Sequence, residues 1–472
     1  MKKCLLVLLT LVLLLGACAA VAESLNVPYD LISEVWIYEP RVTAIALEYD
    51  KPLACAFDLT GSFAVNAELK ELVSHENLPI IDSSWPMSPR KITAAYTSDE
   101  PKVGKICAGN YVIIELSDTD SNAASTYISL KRSFQDLDKS KGWNNGREIL
   151  PYGENMIYEI EQLYNIKYAD GTYTGTDITF ERRNEWTLIA DDFVPGVYVS
   201  DTTTVDLQVN NETKSINSID YTLYSPANPV EGEKYPLVLY LHGSSCRSIY
   251  EDEIDDVMTP VLTNQGAITW VKHGTEDCYV FVPQYEFATV PLVKEAFAAL
   301  LADESLAIDM DRVYISGLSM GGMTSLSFLM DDRFCDTFAA ALINCGAPRD
   351  DVDGATVAAE FPAKLARVME NGTQVWLVHS DTDPTVPVAG SYQAFKGMLG
   401  LALDGEMPAP ISDDKDFTVY EALDGQLRFT EVHFIVGQRN TNFNMYSVSP
   451  HEVYEYSYSE PMFIEWLFNQ SK

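Results

Sequence analysis

The sequence predicts two domains: an all-β domain, then a larger α/β domain whose sheet is mostly parallel. Three observations lead there. At 472 residues the chain exceeds what a single core usually organises. Up to about residue 191 it carries short β-branched and aromatic runs parted by turns, with no helical periodicity. Beyond that point apolar strand-like runs alternate with helix-like ones, the pattern of a sheet flanked by helices. With 47% apolar residues, 26 Tyr and 19 Phe there is ample material for two cores.

The first 22 residues read as a targeting segment. Lys2 and Lys3 precede an apolar run over 4–15 and then small residues, too short to span a bilayer permanently. Two cleavage sites overlap. Leu15-Gly16-Ala17-Cys18 resembles a lipobox, which would make Cys18 a lipidated first residue; Ala20-Val21-Ala22 fits ordinary signal cleavage. Either route exports the chain, and a lipid on Cys18 is the one membrane attachment expected.

Residues 23–191 form the first domain. Strands are expected at 35–38, 42–49, 92–96 and 111–116, and later at 126–130, 156–164 and 186–189, a spacing that suggests an immunoglobulin-like β-sandwich with long loops. The polar stretches 118–125 and 136–147 read as loops rather than sites. Cys55 and Cys107 either pair or stay as small buried hydrophobes. The cysteines beyond Cys18 match no metal-binding spacing, so no zinc is expected from them, and no cofactor is implied.

The formal net charge is −37, and loss of residues 1–22 removes two lysines and no acid. Such a surface repels nucleic acid and anionic membranes.

Residues 192–472 form the second domain. A strand is expected at 221–226; 235–243 is a continuous apolar run suited to a strand buried on both faces. Strands follow at 279–283, before Ser319, and at 338–344, 375–379 and 429–436, with helices at 292–301, 322–330 and 461–468. In such sheets the site lies at the carboxyl ends of the strands.

Gly317-Leu318-Ser319-Met320-Gly321, between an apolar strand and a helix, reads as a nucleophile elbow. Glycine stands two residues either side of the serine, where the turn is too tight for a Cβ. The turn aims the N–H of Met320 toward charge developing on a carbonyl oxygen. A serine hydroxyl is a poor nucleophile near neutral pH and needs a base oriented by a third group. For the acid, Asp381 and Asp383 lie in the turn after the strand at 375–379; Pro384 keeps Asp383 extended, while Asp381 supports the loop. For the base, His75, His242 and His273 precede the serine, His379 is too near the acid, and His433 alternates within an apolar strand as a structural residue. That leaves His451, in a flexible loop before the last helix. A second oxyanion donor is expected from Ser244 or Ser245, where Gly243 lets the backbone approach the substrate; His242 is a structural hydrogen-bonding group.

These residues carry a resemblance. The 235–243 strand, Pro283-Gln284, the run 308–322, the Asp383 loop and His451 before the Trp466 helix together resemble α/β-hydrolase esterases related to polyhydroxybutyrate depolymerases and feruloyl esterases. The stretch 41–52 is similar to the immunoglobulin-like domain that precedes such esterases in one bacterial subfamily. The resemblance covers nearly the whole mature chain. It implies Ser319, Asp383 and His451 as a triad and an exported serine ester hydrolase that works through an acyl-enzyme, on short acyl or polysaccharide-linked esters, without cofactor. One departure is the acidic segment 398–426, expected as a long loop that reshapes or partly covers the acyl site. Two other readings stand beside it: a serine peptidase of the same fold, and a surface carbohydrate-binding protein that has lost activity.

Overall fold

The computed structural model describes residues 25–36, 39–70, 84–130, 147–209, 212–246, 257–350, 352, 358–434 and 449–472. The targeting segment with Cys18, His75, and most of the loop expected at 136–147 lie outside the described residues.

The first domain contains β1 (Leu25–Val35), β2 (Pro40–Leu53), β3 (Phe63–Leu69), β4 (Trp85–Pro89), β5 (Ile92–Ser98), β6 (Gly109–Leu116), β7 (Thr126–Leu130), β8 (Arg147–Pro151), β9 (Met156–Gln162) and β10 (Ile178–Thr187). A five-stranded sheet, ordered β10-β1-β2-β6-β5, shares a core with the three-stranded sheet β4-β3-β9, and β7 pairs with β8. Val27, Leu31, Ile45 and Leu47 meet Phe63, Val65 and Tyr158 there. This is the expected sandwich, with several strands displaced. The strand expected at 35–38 is instead the end of β1, which stops at Val35; Ile37 and Tyr38 lie outside the described residues. Pro28 makes the start of β1 look unlike a strand, yet pairing with β2 begins only at Tyr29, so the proline sits where one side needs no donor. The strand expected at 186–189 is the tail of β10, which ends at Thr187; Ile189 turns to φ +67° and starts a 3₁₀ turn. Loop residue Asp120 pairs at 3.0 Å with the buried Arg90, a structural role for the 118–125 segment.

The second domain is built on ten strands: β11 (Val194–Val199), β14 (Ser218–Tyr224), β15 (Tyr235–Leu241), β16 (Tyr279–Pro283), β17 (Ile308–Leu318), β18 (Ala340–Asn344), β19 (Gln374–Ser380), β20 (Ser412–Asp413), β21 (Phe417–Ala422) and β22 (Leu427–Val432). A separate hairpin joins β12 (Val205–Val209) to β13 (Glu212–Ile216). The sheet order is β11-β14-β16-β15-β17-β18-β19-β22-β21-β20. From β16 to β22 every pairing is parallel, and the strands at both ends are antiparallel.

All seven residues of β15 are buried, because alternate side chains enter opposite cores. Leu237, Leu239 and Leu241 face the layer of α1 (Val290–Leu301), α2 (Met320–Met330), α3 (Phe361–Glu370) and α4 (Ala389–Met398). Val238 and Tyr240 face Trp270 and the terminal helices α5 (Tyr454–Ser459) and α6 (Pro461–Phe468). Val35, Ala190 and Phe193 join this second core, so the first domain packs against the face that carries the chain's last helices.

The acidic segment expected as a loop is in part sheet: β20 and β21 extend the edge beyond β22. Phe417, Val419 and Tyr420 give it strand-forming residues, and the exposed Ser412 and Asp413 blunt the outer edge.

Candidate active site

Ser319 stands between β17 and α2 with φ +54° and ψ −116°, a strained conformation held by its surroundings. Its N–H donates to Asn344 O at 3.0 Å and its C=O accepts from Met323 N at 3.0 Å, so neighbouring elements clamp both sides of the turn. The glycines allow the close approach. A Cβ on Gly321 would lie 1.8 Å from Leu241 O, and one on Gly317 would lie 2.4 Å from Gly321 O. Gly321→Ala is therefore expected to cost at least ~1–3 kcal/mol, the range for overpacking a filled site. A lowered Tm together with lost activity checks this; an unchanged Tm contradicts the packing described.

His451 sits in a 3₁₀ turn, Pro450–Val453, where a flexible loop is expected from sequence. The turn is closed by a capping box: Ser449 Oγ accepts from His451 N at 3.2 Å, and Glu452 Oε2 accepts from Ser449 N at 2.7 Å. The following helix is tied to the sheet by Ser457 Oγ on Asn344 Oδ1 at 2.6 Å and by Tyr458 with Ser316 at 3.0 Å. The imidazole is thus presented on a braced element.

The structure brings Ser319, His451 and Asp383 together. Ser319 Oγ lies 2.9 Å from His451 Nε2, and His451 Nδ1 lies 2.7 Å from Asp383 Oδ2. Asp383 has a fully buried side chain whose acceptor sites are filled. Oδ1 accepts from Thr385 N at 2.8 Å and Val386 N at 2.9 Å; Oδ2 accepts from His451 and, at 3.1 Å, from His379 Nε2. Burial pushes its carboxyl up, but hydrogen bonds from His379 and His451 and the charge of His451 outweigh burial and hold it well below the usual carboxylate range. Ionised near neutral pH, Asp383 keeps the proton of neutral His451 on Nδ1, which leaves Nε2 to accept from Ser319.

His379 is the residue that sequence reasoning passed over. Fully buried, it bonds Asp383, Val386 O at 2.9 Å and Ser391 Oγ at 2.8 Å, so the acid is fixed by two histidines. It stands near the end of β19, four residues before the acid, where sequence alone reads a strand residue. Asp381 does not reach His451; its Oδ2 meets His433 Nδ1 at 2.9 Å. His433 is no strand residue, since β22 ends at Val432; its two ring nitrogens face Asp381 and Thr418.

Met320 is the first residue of α2, whose N–H is among those a helix leaves without an acceptor of its own. Opposite it runs the turn after β15. A Cβ on Gly243 would come within 3.7 Å of Ser319 Cβ, so this backbone closes over the elbow. Ser244 and Ser245 are half-buried there, while the Cys246 N–H is committed to Gly243 O at 3.1 Å. His242 stays out of the reacting geometry: Tyr285 N donates to its Nε2 at 3.3 Å and its Nδ1 bonds Gly243 O at 2.8 Å, which fixes the loop.

Among the described residues, two clusters hold metal-ligand atoms within 4.8 Å of one another: Cys345, Asp383 and His451, and Asp381, Glu431 and His433. In the first, burial and then the charge of Asp383 push the Cys345 thiol well up, so it stays a protonated filler beside the acid. Cys55 and Cys107 are free thiols, Cys107 donating to Asp99 Oδ1 at 3.1 Å.

Residues 28–175 match the family model of the esterase Ig-like N-terminal domain. Over these residues the N-terminal domain is similar to the Ig-like domain of esterases. A thermostable esterase of known crystal structure aligns over 94% of this chain and 99% of its own, at TM-score 0.62 and 23% identity. That likeness shows a shared two-domain fold, Ig-like sandwich followed by α/β-hydrolase domain. More distant are an acetyl xylan esterase from Aspergillus awamori, at 13% identity and TM-score 0.32 over 51% of this chain and 98% of its own, and a Pyrococcus horikoshii acylaminoacyl peptidase, at 14% and 0.35 over 81% and 56%. No curated protein matches the sequence.

Proposed function

We propose that the protein is an exported serine carboxylic ester hydrolase. The observation that carries this is the unbroken hydrogen-bond chain Ser319–His451–Asp383, set at a strained strand-to-helix turn. Ser319 Oγ attacks the ester carbonyl as His451 Nε2 takes its proton. The oxyanion that forms is met by the Met320 N–H and by an N–H of Ser244 or Ser245. His451 then gives its proton to the departing alcohol, leaving an acyl-Ser319. Water activated by the same histidine attacks the acyl carbon and returns Ser319. Asp383 keeps the imidazole oriented and balances its transient positive charge. Residues 1–22 direct export, by lipidation at Cys18 or by cleavage after Ala22, and residues 192–472 act as the catalytic unit behind the sandwich 23–191.

Short acyl esters and acetylated or feruloylated polysaccharides are the substrates of this reading. The test is one assay of p-nitrophenyl esters of graded chain length, acetylated and feruloylated xylan, and aminoacyl p-nitroanilides. Turnover of esters well above amides supports it. Amide turnover equal to or above ester turnover would make the protein a peptidase, and no turnover of either would favour a binding protein.

A further inference from the structure

Beside the serine site, a second group of side chains gathers at the carboxyl end of the sheet. Register sets His379 opposite Glu431 and Ser380 opposite Val432, so Asp381 and His433 emerge side by side just past the paired ends. Glu431, two residues before His433, points to the same face of its strand. One ligand atom from each of the three lies within 4.8 Å of the other two. Glu431 is 7% exposed, and among the described residues its carboxylate receives one hydrogen bond, from the Tyr392 hydroxyl at 2.6 Å onto Oε1. The Asp381 side chain is partly exposed, but its Oδ1 is buried without a hydrogen-bond partner among the described residues. Two carboxylates therefore converge, and the unmatched Asp381 Oδ1 is costly unless a cation joins it.

The hydrogen bonds around His433 show where that cation belongs. Thr418 Oγ1 lies 2.7 Å from Asp413 Oδ1 and 2.8 Å from His433 Nε2. An ionised carboxylate only accepts, so Thr418 gives its proton to Asp413 and must receive the N–H of His433 Nε2. In a neutral imidazole Nδ1 is then a lone pair facing Asp381 Oδ2 at 2.9 Å, with no proton between them. Either an extra proton on Nδ1 or a metal cation resolves this contact. A proton serves Asp381 Oδ2 alone; a divalent cation serves Nδ1, Asp381 and Glu431 together.

We propose that Asp381, Glu431 and His433 bind one divalent cation through an imidazole nitrogen and two carboxylate oxygens. This donor set suits Zn²⁺ best and Mn²⁺ or Co²⁺ next, and is too poor in oxygen for Ca²⁺. Tetrahedral ligand atoms at zinc bond lengths lie roughly 3.4 Å apart, within reach of small side-chain adjustments here. Thr418, backed by Asp413, is the partner that holds the other ring nitrogen, as metal-ligating histidines require. Asp381 lies two residues before Asp383 in one turn, so the cation would pin that turn to β22.

The full chain, stripped with EDTA and dialysed, is titrated calorimetrically with Zn²⁺, Mn²⁺ and Ca²⁺, and its Tm is read with each. Expected are one equivalent of Zn²⁺ bound, a raised Tm, and Ca²⁺ at least tenfold weaker. His433→Ala and the near-isosteric Glu431→Gln each lose tenfold or more in Zn²⁺ affinity, whereas His451→Ala keeps it, which separates this site from the Cys345 cluster. Circular dichroism establishes that each variant is folded. Zn²⁺ that binds and stabilises folded His433→Ala as well as the wild type overturns the proposal. So does NMR showing His433 Nδ1 still protonated at saturating Zn²⁺, which would mean that a proton holds the contact.

Discussion

Ser319→Ala is expected to lower kcat for esters by on the order of 10⁶-fold, the scale on which loss of a triad serine acts. Tm should hardly move. The substitution removes one oxygen whose hydrogen bond is to His451, while the bonds that clamp the turn, Ser319 N to Asn344 O and Met323 N to Ser319 O, belong to the backbone. Alanine also meets the positive φ no worse than serine does. Triad members act as a unit, so Ser319→Ala combined with His451→Ala should cost little more than either change alone. A Ser319→Ala variant that keeps most of its esterase activity would exclude Ser319 as the nucleophile.

Asp383→Asn should also be severely damaging, though less so than Ser319→Ala, by a route that the hydrogen bonds make explicit. The amide oxygen of asparagine can keep the N–H groups of Thr385 and Val386, which donate to Oδ1. Its NH₂ then faces His379 Nε2 and His451 Nδ1, both of which donate to Oδ2 in the native protein. Donor meets donor. His451 escapes by moving its proton to Nε2, which then points an N–H at Ser319 and cannot act as a base. In serine proteases the same change lowers kcat by about 10⁴-fold. Asp381→Asn should cost far less, since Asp381 faces His433; kcat of the two variants in one assay decides between them. The carboxyl of Asp383 is lower in the folded protein than the ~3.9 of an unfolded aspartate. Its contribution to stability is therefore present above that value and lost as pH falls toward the folded one, so the wild type should lose more Tm than Asp383→Asn on acidification below about pH 4.

The α/β domain was legible because its signals are local and agree with one another. β15 is a run buried on both faces, and the elbow's glycines sit where a Cβ would collide with Leu241 O at Gly321 and with Gly321 O at Gly317. The sandwich was less so. β10 is a half-exposed edge strand carrying Glu181, Arg182, Arg183 and Glu185, so its alternation is hidden under charge. Of the site, the three residues could be reached through chain order and turn chemistry, since each stands at the end of an apolar strand or before a recognisable helix. His379 could not, because a histidine that touches the acid looks, in sequence, like a strand residue too close to be useful. The braced turn at His451 depends on Ser449 and Glu452 forming a capping box, a pattern present in the sequence but easily read as loop. The grouping of Asp381, Glu431 and His433 depends on strand register, which only the fold supplies.

His451, 2.9 Å from Ser319 Oγ, is what makes that serine nucleophilic in the proposed reaction. A fluorophosphonate probe followed by peptide mass mapping tests it most directly, because the probe reacts with an activated serine and leaves a stable adduct on that oxygen. One adduct per chain is expected, on the peptide containing Ser319, absent from Ser319→Ala and strongly slowed in His451→Ala. An adduct on another residue, or labelling at the same rate in His451→Ala, would contradict it.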